Sequence, residues 1–254
     1  MVDYSKLFSS LSEYNTQVNT TINSIHKALI VVGVVVISIL WYAHFIDMQK
    51  RLLENQQSMS TDVLMQASYK YFVAYAMVML SGQIIDALLW LGNAIAHLID
   101  VNMTKSLTNT ILFVAKESNG NIFENMFVNA IQGMAKIAQW IAQITIQILV
   151  FLRFVELYIY KAFAPILIAG FVSDDYKSVA QGYMKQFIAV ILQGALLIFL
   201  IKLYDVLAVA DMFTISTAKG DDALSQAVLF LVKSFVYIFV LVGSQNKVKK
   251  WMGV

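Results

Sequence analysis

Ala28-Leu-Ile-Val-Val-Gly-Val-Val-Val-Ile-Ser-Ile-Leu40 carries no charge, and its apolar character extends from Lys27 to Ile46. A helix that crosses a bilayer needs about 20 such residues, because each adds roughly 1.5 Å against a hydrocarbon core about 30 Å thick. The run ends in Trp41, Tyr42 and His44, whose amphipathic rings suit a headgroup border. Residues 1–26 ahead of it are mainly polar, and no small-residue cleavage site follows. It is therefore expected to be a permanent span and not a cleaved leader.

The whole chain agrees with that stretch. Hydrophobic residues make up 59% and charged residues 13%, against roughly 25% charged in soluble domains. So little polar surface cannot cover a soluble globule of this length. One proline argues against a loop-rich or all-β protein, and the absence of cysteine excludes a disulfide framework, a thiolate metal site and a catalytic thiol. A net charge of +2 without clustered Lys and Arg gives no nucleic-acid signature. The expected class is all-α, a polytopic transmembrane bundle of about five spans with added amphipathic helices.

Four more spans complete that count. Tyr69–Ile99 is longer than one crossing requires and contains Ser81, Gly82 and Asp86, so it is expected to tilt or kink. Trp140–Phe163, Phe187–Leu203 and Ala223–Val242 follow. Pro165 is expected to break the helix after Trp140–Phe163, the third span of the chain, leaving Ile166–Val172 as a short apolar return. A sixth crossing ending at Pro165–Val172 is the alternative, and the Lys/Arg count does not favour five over six. Both topologies place Lys247, Lys249, Lys250 and Trp251 at a cytoplasmic C-terminus, and the loop with Asp205, Asp211, Asp221 and Asp222 outside.

Two segments are striped. Tyr4, Leu7, Leu11, Tyr14, Val18, Ile22 and Ile25 repeat every three or four residues, which predicts an amphipathic helix before the first span. Asn129, Gln132, Lys136, Gln139, Gln143 and Gln147 line one helical face, with Phe127, Ile131, Met134, Ala138, Ile141 and Thr145 opposite. Such a helix sits poorly in lipid on all sides, so Ile122–Gln139 is expected to be interfacial or packed on a partner. The organisation is then an extracytoplasmic N-terminal helix (1–26), the first two spans and an outer loop (27–121), an amphipathic helix with a three-span core (122–243), and a basic tail (244–254).

Nothing in the sequence provides an enzyme. No phosphate loop, His-Glu-x-x-His run or Gly-x-Ser-x-Gly elbow is present, and no cofactor or metal is expected. His26, His44 and His97 lie near membrane borders, far apart in sequence, and read as interfacial. The informative residues are Asp86, Arg153, Glu156 and Lys233, because a charge at a span centre costs roughly 2.5–3.5 kcal/mol on insertion scales. Arg153 and Glu156 are three apart and can partly neutralise each other. Asp86 and Lys233 need partners on other helices or water. The four read either as ion pairs that fix assembly or as the site of a secondary transporter or small-ion channel. Small residues four apart, Gly92/Ala96 and Ala138/Ala142, add weak packing signals.

One region carries a resemblance. It runs from Arg153-Phe-Val-Glu156 through Ala164-Pro165 and the Ser173–Lys185 loop to Gln193-Gly194. It resembles the core of the TrbL-like polytopic inner-membrane subunits of type IV secretion and conjugative transfer systems. In that family an Arg and an acidic residue precede Ala-Pro, and a short cytoplasmic loop and a span with Gln-Gly follow. The matching positions are Arg153, Glu156, Pro165, Gln193 and Gly194. The resemblance implies a non-enzymatic channel or scaffold subunit that forms homo-oligomers in the cytoplasmic membrane. It further implies other channel subunits, secretion ATPases and a coupling protein as partners, contact with membrane lipid, and a DNA–protein substrate.

Overall fold

A computed structural model describes residues 4–54, 61–103, 122–209 and 223–253 of the chain. All regular structure among them is helical. A 3-10 turn at Tyr4–Phe8 precedes α1 (Leu11–Tyr14), α2 (Thr16–Glu54), α3 (Thr61–Met79), α4 (Ser81–Asn102) and α5 (Ile122–Ala169). A second 3-10 turn, Gly170–Val172, leads to α6 (Lys177–Val209) and α7 (Ala223–Trp251). Of these, α2, α4, α5 and α6 are long and apolar enough to cross a membrane. The fifth predicted span is helical within α7, whereas the acidic loop with Asp211, Asp221 and Asp222 lies outside the described residues.

The chain divides into two compact units. One comprises Met1–Phe8, Gly92–Arg153 and Leu192–Val248, and the other Ser9–Leu91, Phe154–Ile191 and Lys249–Val254.

Local chemistry sets several helix ends. Ser10 caps α1 through a capping box: its backbone N–H donates to Glu13 Oε2 at 2.7 Å, and the Glu13 N–H donates back to Ser10 Oγ at 3.3 Å. Asn15 Oδ1 then accepts from the Val18 N–H at 3.0 Å, which starts α2. The predicted N-terminal amphipathic helix is therefore broken by two caps. Its second half is continuous with the first span, since α2 runs unbroken for 39 residues. Leu7 and Leu11 are buried, whereas Val18 and Ile25 are exposed. Hydroxyls on apolar helices bond back to their own backbone, Ser38 to the Val34 carbonyl and Thr145 to that of Ile141, both at 2.9 Å.

The second predicted span is interrupted at Leu80, between α3 and α4. The ladder continues on either side, from the Leu80 N–H to the Ala76 carbonyl and from the Ile84 N–H to the Leu80 carbonyl. Between them the Ser81 hydroxyl donates to the Val78 carbonyl at 2.6 Å, competing with the helix amide that would otherwise take that oxygen.

Pro165 does not end its helix, contrary to the sequence expectation. Helix α5 continues to Ala169 and spans 48 residues, so the predicted interfacial helix, the third span and most of the apolar return form one element. The physical reason lies in neighbouring helices and is given below.

In the first unit α5 buries Val128, Gln132, Ala135, Ala138, Ala142, Ile146 and Val150, a stripe of mostly small side chains at helical spacing. Phe127, Met134, Ile137, Trp140 and Ile141 point outward. Large apolar groups thus point outward, while the polar stripe is divided, with Gln132 buried and Asn129, Lys136 and Gln147 exposed.

Candidate functional site

Proline carries no amide hydrogen, so a proline inside a helix leaves the carbonyl four residues earlier without its partner. At Pro165 that carbonyl belongs to Lys161. In the second unit His26 Nδ1, from α2, lies 2.8 Å from the Lys161 oxygen. A carbonyl can only accept, so Nδ1 carries the hydrogen. The preceding carbonyl, Tyr160, accepts from the Tyr183 hydroxyl of α6 at 2.5 Å. A donor from another helix thus replaces the one ladder bond that the proline removes, which is how apolar helices tolerate one, and the Tyr183 hydroxyl adds a second bond at the neighbouring carbonyl.

The same residues extend into a polar network. His26 Nε2 is 3.3 Å from Ser81 Oγ on α4, and Lys161 Nζ is 2.8 Å from Asp86 Oδ1 on α4. His26, Ser81 and Lys161 are buried, whereas the Asp86 side chain is 57% exposed. Two glycines permit this closeness. A Cβ on Gly33 would lie 2.9 Å from the Pro165 carbonyl oxygen and 3.0 Å from Val78, and one on Gly82 would lie 3.1 Å from His26 Nε2. Close backbone approach brings α2 to the proline turn, and only then does His26 reach the carbonyl.

Another part of the second unit holds α1. The Tyr158 hydroxyl donates to the Leu11 carbonyl at 2.6 Å, and Tyr14 stacks on Phe154 with ring centres 3.7 Å apart. Lys249 Nζ meets Glu156 Oε1 at 3.3 Å. Glu156 is therefore matched by a lysine from α7.

In the first unit the buried Arg153 donates from Nη1 to the Leu7 carbonyl at 3.3 Å. Its guanidinium lies against Gly194, where any Cβ would overlap it. Gln193 Nε2 donates to the Gln245 carbonyl at 2.8 Å, and the Tyr204 hydroxyl donates to the Lys233 carbonyl at 2.7 Å. Gln139, Ala142, Gln143, Ile146, Tyr204, Ser234 and Tyr237 line a cavity of about 30 Å³. That is room for about two waters among enough polar groups to hold them.

Of the sequence-predicted residues, Asp86 finds its partner in Lys161, and Arg153 and Gly194 meet directly. The polar stripe separates: Gln132 is buried, Gln139 and Gln143 border the cavity, and Asn129, Lys136 and Gln147 are exposed. Among the described residues no three carboxylate or imidazole side chains converge as metal ligands. Sequence reasoning overlooked His26, which reads as a border residue but is buried, and Lys161, which lies near the end of the predicted span Trp140–Phe163. Lys161 had a signal, since it stands four residues before the only proline.

No family model, curated protein or solved structure matches the chain. Fold and site therefore define its class alone: an all-helical chain with four helices long and apolar enough to make it a multi-pass membrane protein.

Proposed function

We propose that the chain is a channel or scaffold subunit of a type IV secretion machine, acting in conjugative transfer of DNA and protein. In this reading it crosses the cytoplasmic membrane five times, keeps its C-terminus in the cytoplasm and oligomerises beside secretion ATPases and a coupling protein. The observation that carries it is the meeting of Arg153 with Gly194. These two positions of the resembling segment lie on different helices, and each explains the other's residue type. A buried guanidinium needs a position without a side chain beside it. Pro165 and Gln193 support the same reading, since Pro165 lies against Gly33 of α2 and Gln193 donates to the Gln245 carbonyl of α7.

Deletion of the gene tests this. Transfer frequency should fall to background while growth is unchanged, and the wild-type copy should restore it. A deletion strain that transfers at the wild-type frequency would end the reading. Cysteine labelling of the naturally thiol-free chain would check the five-span topology independently.

A further inference from the structure

We propose that Asp86 and Lys185 form an ion pair between neighbouring copies of this chain, docking the α4 face of one copy on the α6 border of the next. This rests on the oligomeric subunit reading above and names the surface through which the copies meet.

Asp86 lies on a helix apolar and long enough to cross a membrane. Lys161 holds one carboxylate oxygen from inside, with 6% of its own side chain exposed, while 57% of the Asp86 side chain faces outward. The outward neighbours one turn along are Trp90 and Leu91, both exposed and apolar. A half-covered carboxylate on such a face calls for a second cation or donor from outside.

The turn of α5 that binds Asp86 also fixes the height of Lys185. Lys161 reaches Asp86 on α4, whereas the adjacent Tyr160 donates its hydroxyl to Gln186 on α6 at 3.1 Å and accepts from Tyr183. Asp86 and the Tyr183–Gln186 turn therefore stand within about one helical turn of each other along α5. Lys185 is exposed on that turn and has no partner among the described residues. Lys161 and Lys249 are already matched by Asp86 and Glu156.

Opposite charges at one height on two different helices suit a head-to-tail contact. Rotating a copy about the membrane normal keeps that height, so its Lys185 arrives level with the neighbour's Asp86. Repetition of such a contact closes a ring when the rotation permits.

The chain has no cysteine, so introduced thiols report cleanly. Gln83 and Gln181 are exposed one turn before Asp86 and Lys185. Two differently tagged chains, one with Gln83→Cys and one with Gln181→Cys, would be co-expressed and oxidised in the membrane. A mixed-tag disulfide is expected. Lys185→Asp in the second chain should reduce it by roughly tenfold or more, since like charges face each other at the contact. Asp86→Lys in the first chain should then restore it. Asp86→Lys also strips Lys161 of its partner, so Lys185→Asp, which breaks no internal contact, is the deciding variant. Absence of the mixed disulfide, or a yield unchanged by Lys185→Asp, would overturn the proposal. So would a disulfide formed only within a doubly substituted chain. Transfer frequency separates the two readings: a charge-dependent disulfide in a chain dispensable for transfer refutes the secretion role alone, and the reverse result refutes this contact alone.

Discussion

Replacing His26 with alanine removes the donor that meets the Lys161 carbonyl, and its cost should depend on whether residue 165 is proline. With Pro165 in place, the carbonyl loses its only replacement for the missing amide and stays buried among α2, α4 and α5. A buried acceptor left unsatisfied costs about 1–3 kcal/mol. In Pro165→Ala, residue 165 supplies an N–H that can close the ordinary helical bond to the same oxygen. His26→Ala on that background should lose only the packing of the ring and its contact with Ser81. The difference between the two costs, a coupling energy, is therefore expected at about 1–2 kcal/mol. The penalty of Pro165→Ala by itself, from lost packing of a buried ring, cancels from that difference. Four proteins suffice: wild type, each single variant and the double. Each would be unfolded with SDS in mixed micelles and followed by circular dichroism. Equal costs of His26→Ala on both backgrounds, within about 0.5 kcal/mol, would refute the claim that His26 stands in for the missing amide. His26→Gln, which keeps a donor of similar reach, should recover part of the loss.

Glycine positions separate close contact from open space. Gly33→Ala should destabilise, because backbone at Pro165 blocks the new methyl, whereas Gly133→Ala meets nothing within 4 Å and should stabilise by up to about 1 kcal/mol through helix propensity. Thermal unfolding of the two variants in the same detergent would check the opposite signs. Asp86→Leu should lower the yield of folded protein more than Asp86→Leu with Lys161→Leu, because the single change leaves a buried ammonium uncompensated; equal yields would show that the pair is not needed to settle Lys161. Glu156→Gln should cost under about 1 kcal/mol in the same unfolding assay, since both Glu156 and Lys249 are more than a third exposed. Ser10, through its backbone N–H first and its hydroxyl second, holds the exposed Glu13 carboxyl below its ordinary value of 4.5. A depressed folded value means the capping box is complete above about 4.3 and opens as pH falls through the folded value. The chemical shift of the Ser10 amide, titrated in micelles, should move at a pH below that ordinary value; a midpoint above it would refute the cap.

Much of the helical layout was legible because apolar runs of bilayer length announce themselves. Ala28–Leu40 and Phe187–Leu203 fall inside the helices that contain them, and the interruption allowed by Ser81 and Gly82 appears one residue earlier, at Leu80. The end of α5 was not legible. A proline argues locally for a stop, and what overrides it here is a histidine 139 positions earlier in the sequence, whose ring donates to the carbonyl that the proline leaves without its amide. The stripe at Asn129–Gln147 was legible only as a periodicity. Alternation of polar and apolar faces says that a helix has two environments, but not that Gln132 would be buried while Asn129, Lys136 and Gln147 stay exposed. The spacing of Arg153 and Glu156 on one helix face did not show that Lys249 meets Glu156 or that Arg153 donates to the Leu7 carbonyl.

The network around Pro165 suggests why such a proline is retained in so apolar a chain. With alanine there, the Lys161 carbonyl would be satisfied within α5 and would give His26 no reason to be buried. With proline, one oxygen must be served from outside, and the helix that serves it is fixed in rotation and height by a directional bond. His26 then presents its second nitrogen to Ser81 at the start of α4, and Lys161 presents its ammonium to Asp86 one turn further along the same helix. Hydrocarbon gives no hydrophobic drive to pair one apolar helix with another, so directional polar bonds and close backbone contacts at Gly33 and Gly82 determine which helices meet. The cost of breaking one ladder bond is thereby converted into the orientation of α2, α4 and α6 around α5. The same logic explains why the charge nearest this joint, Asp86, is aimed only halfway inward: Lys161 satisfies one side, and the geometry leaves the other side for a neighbour.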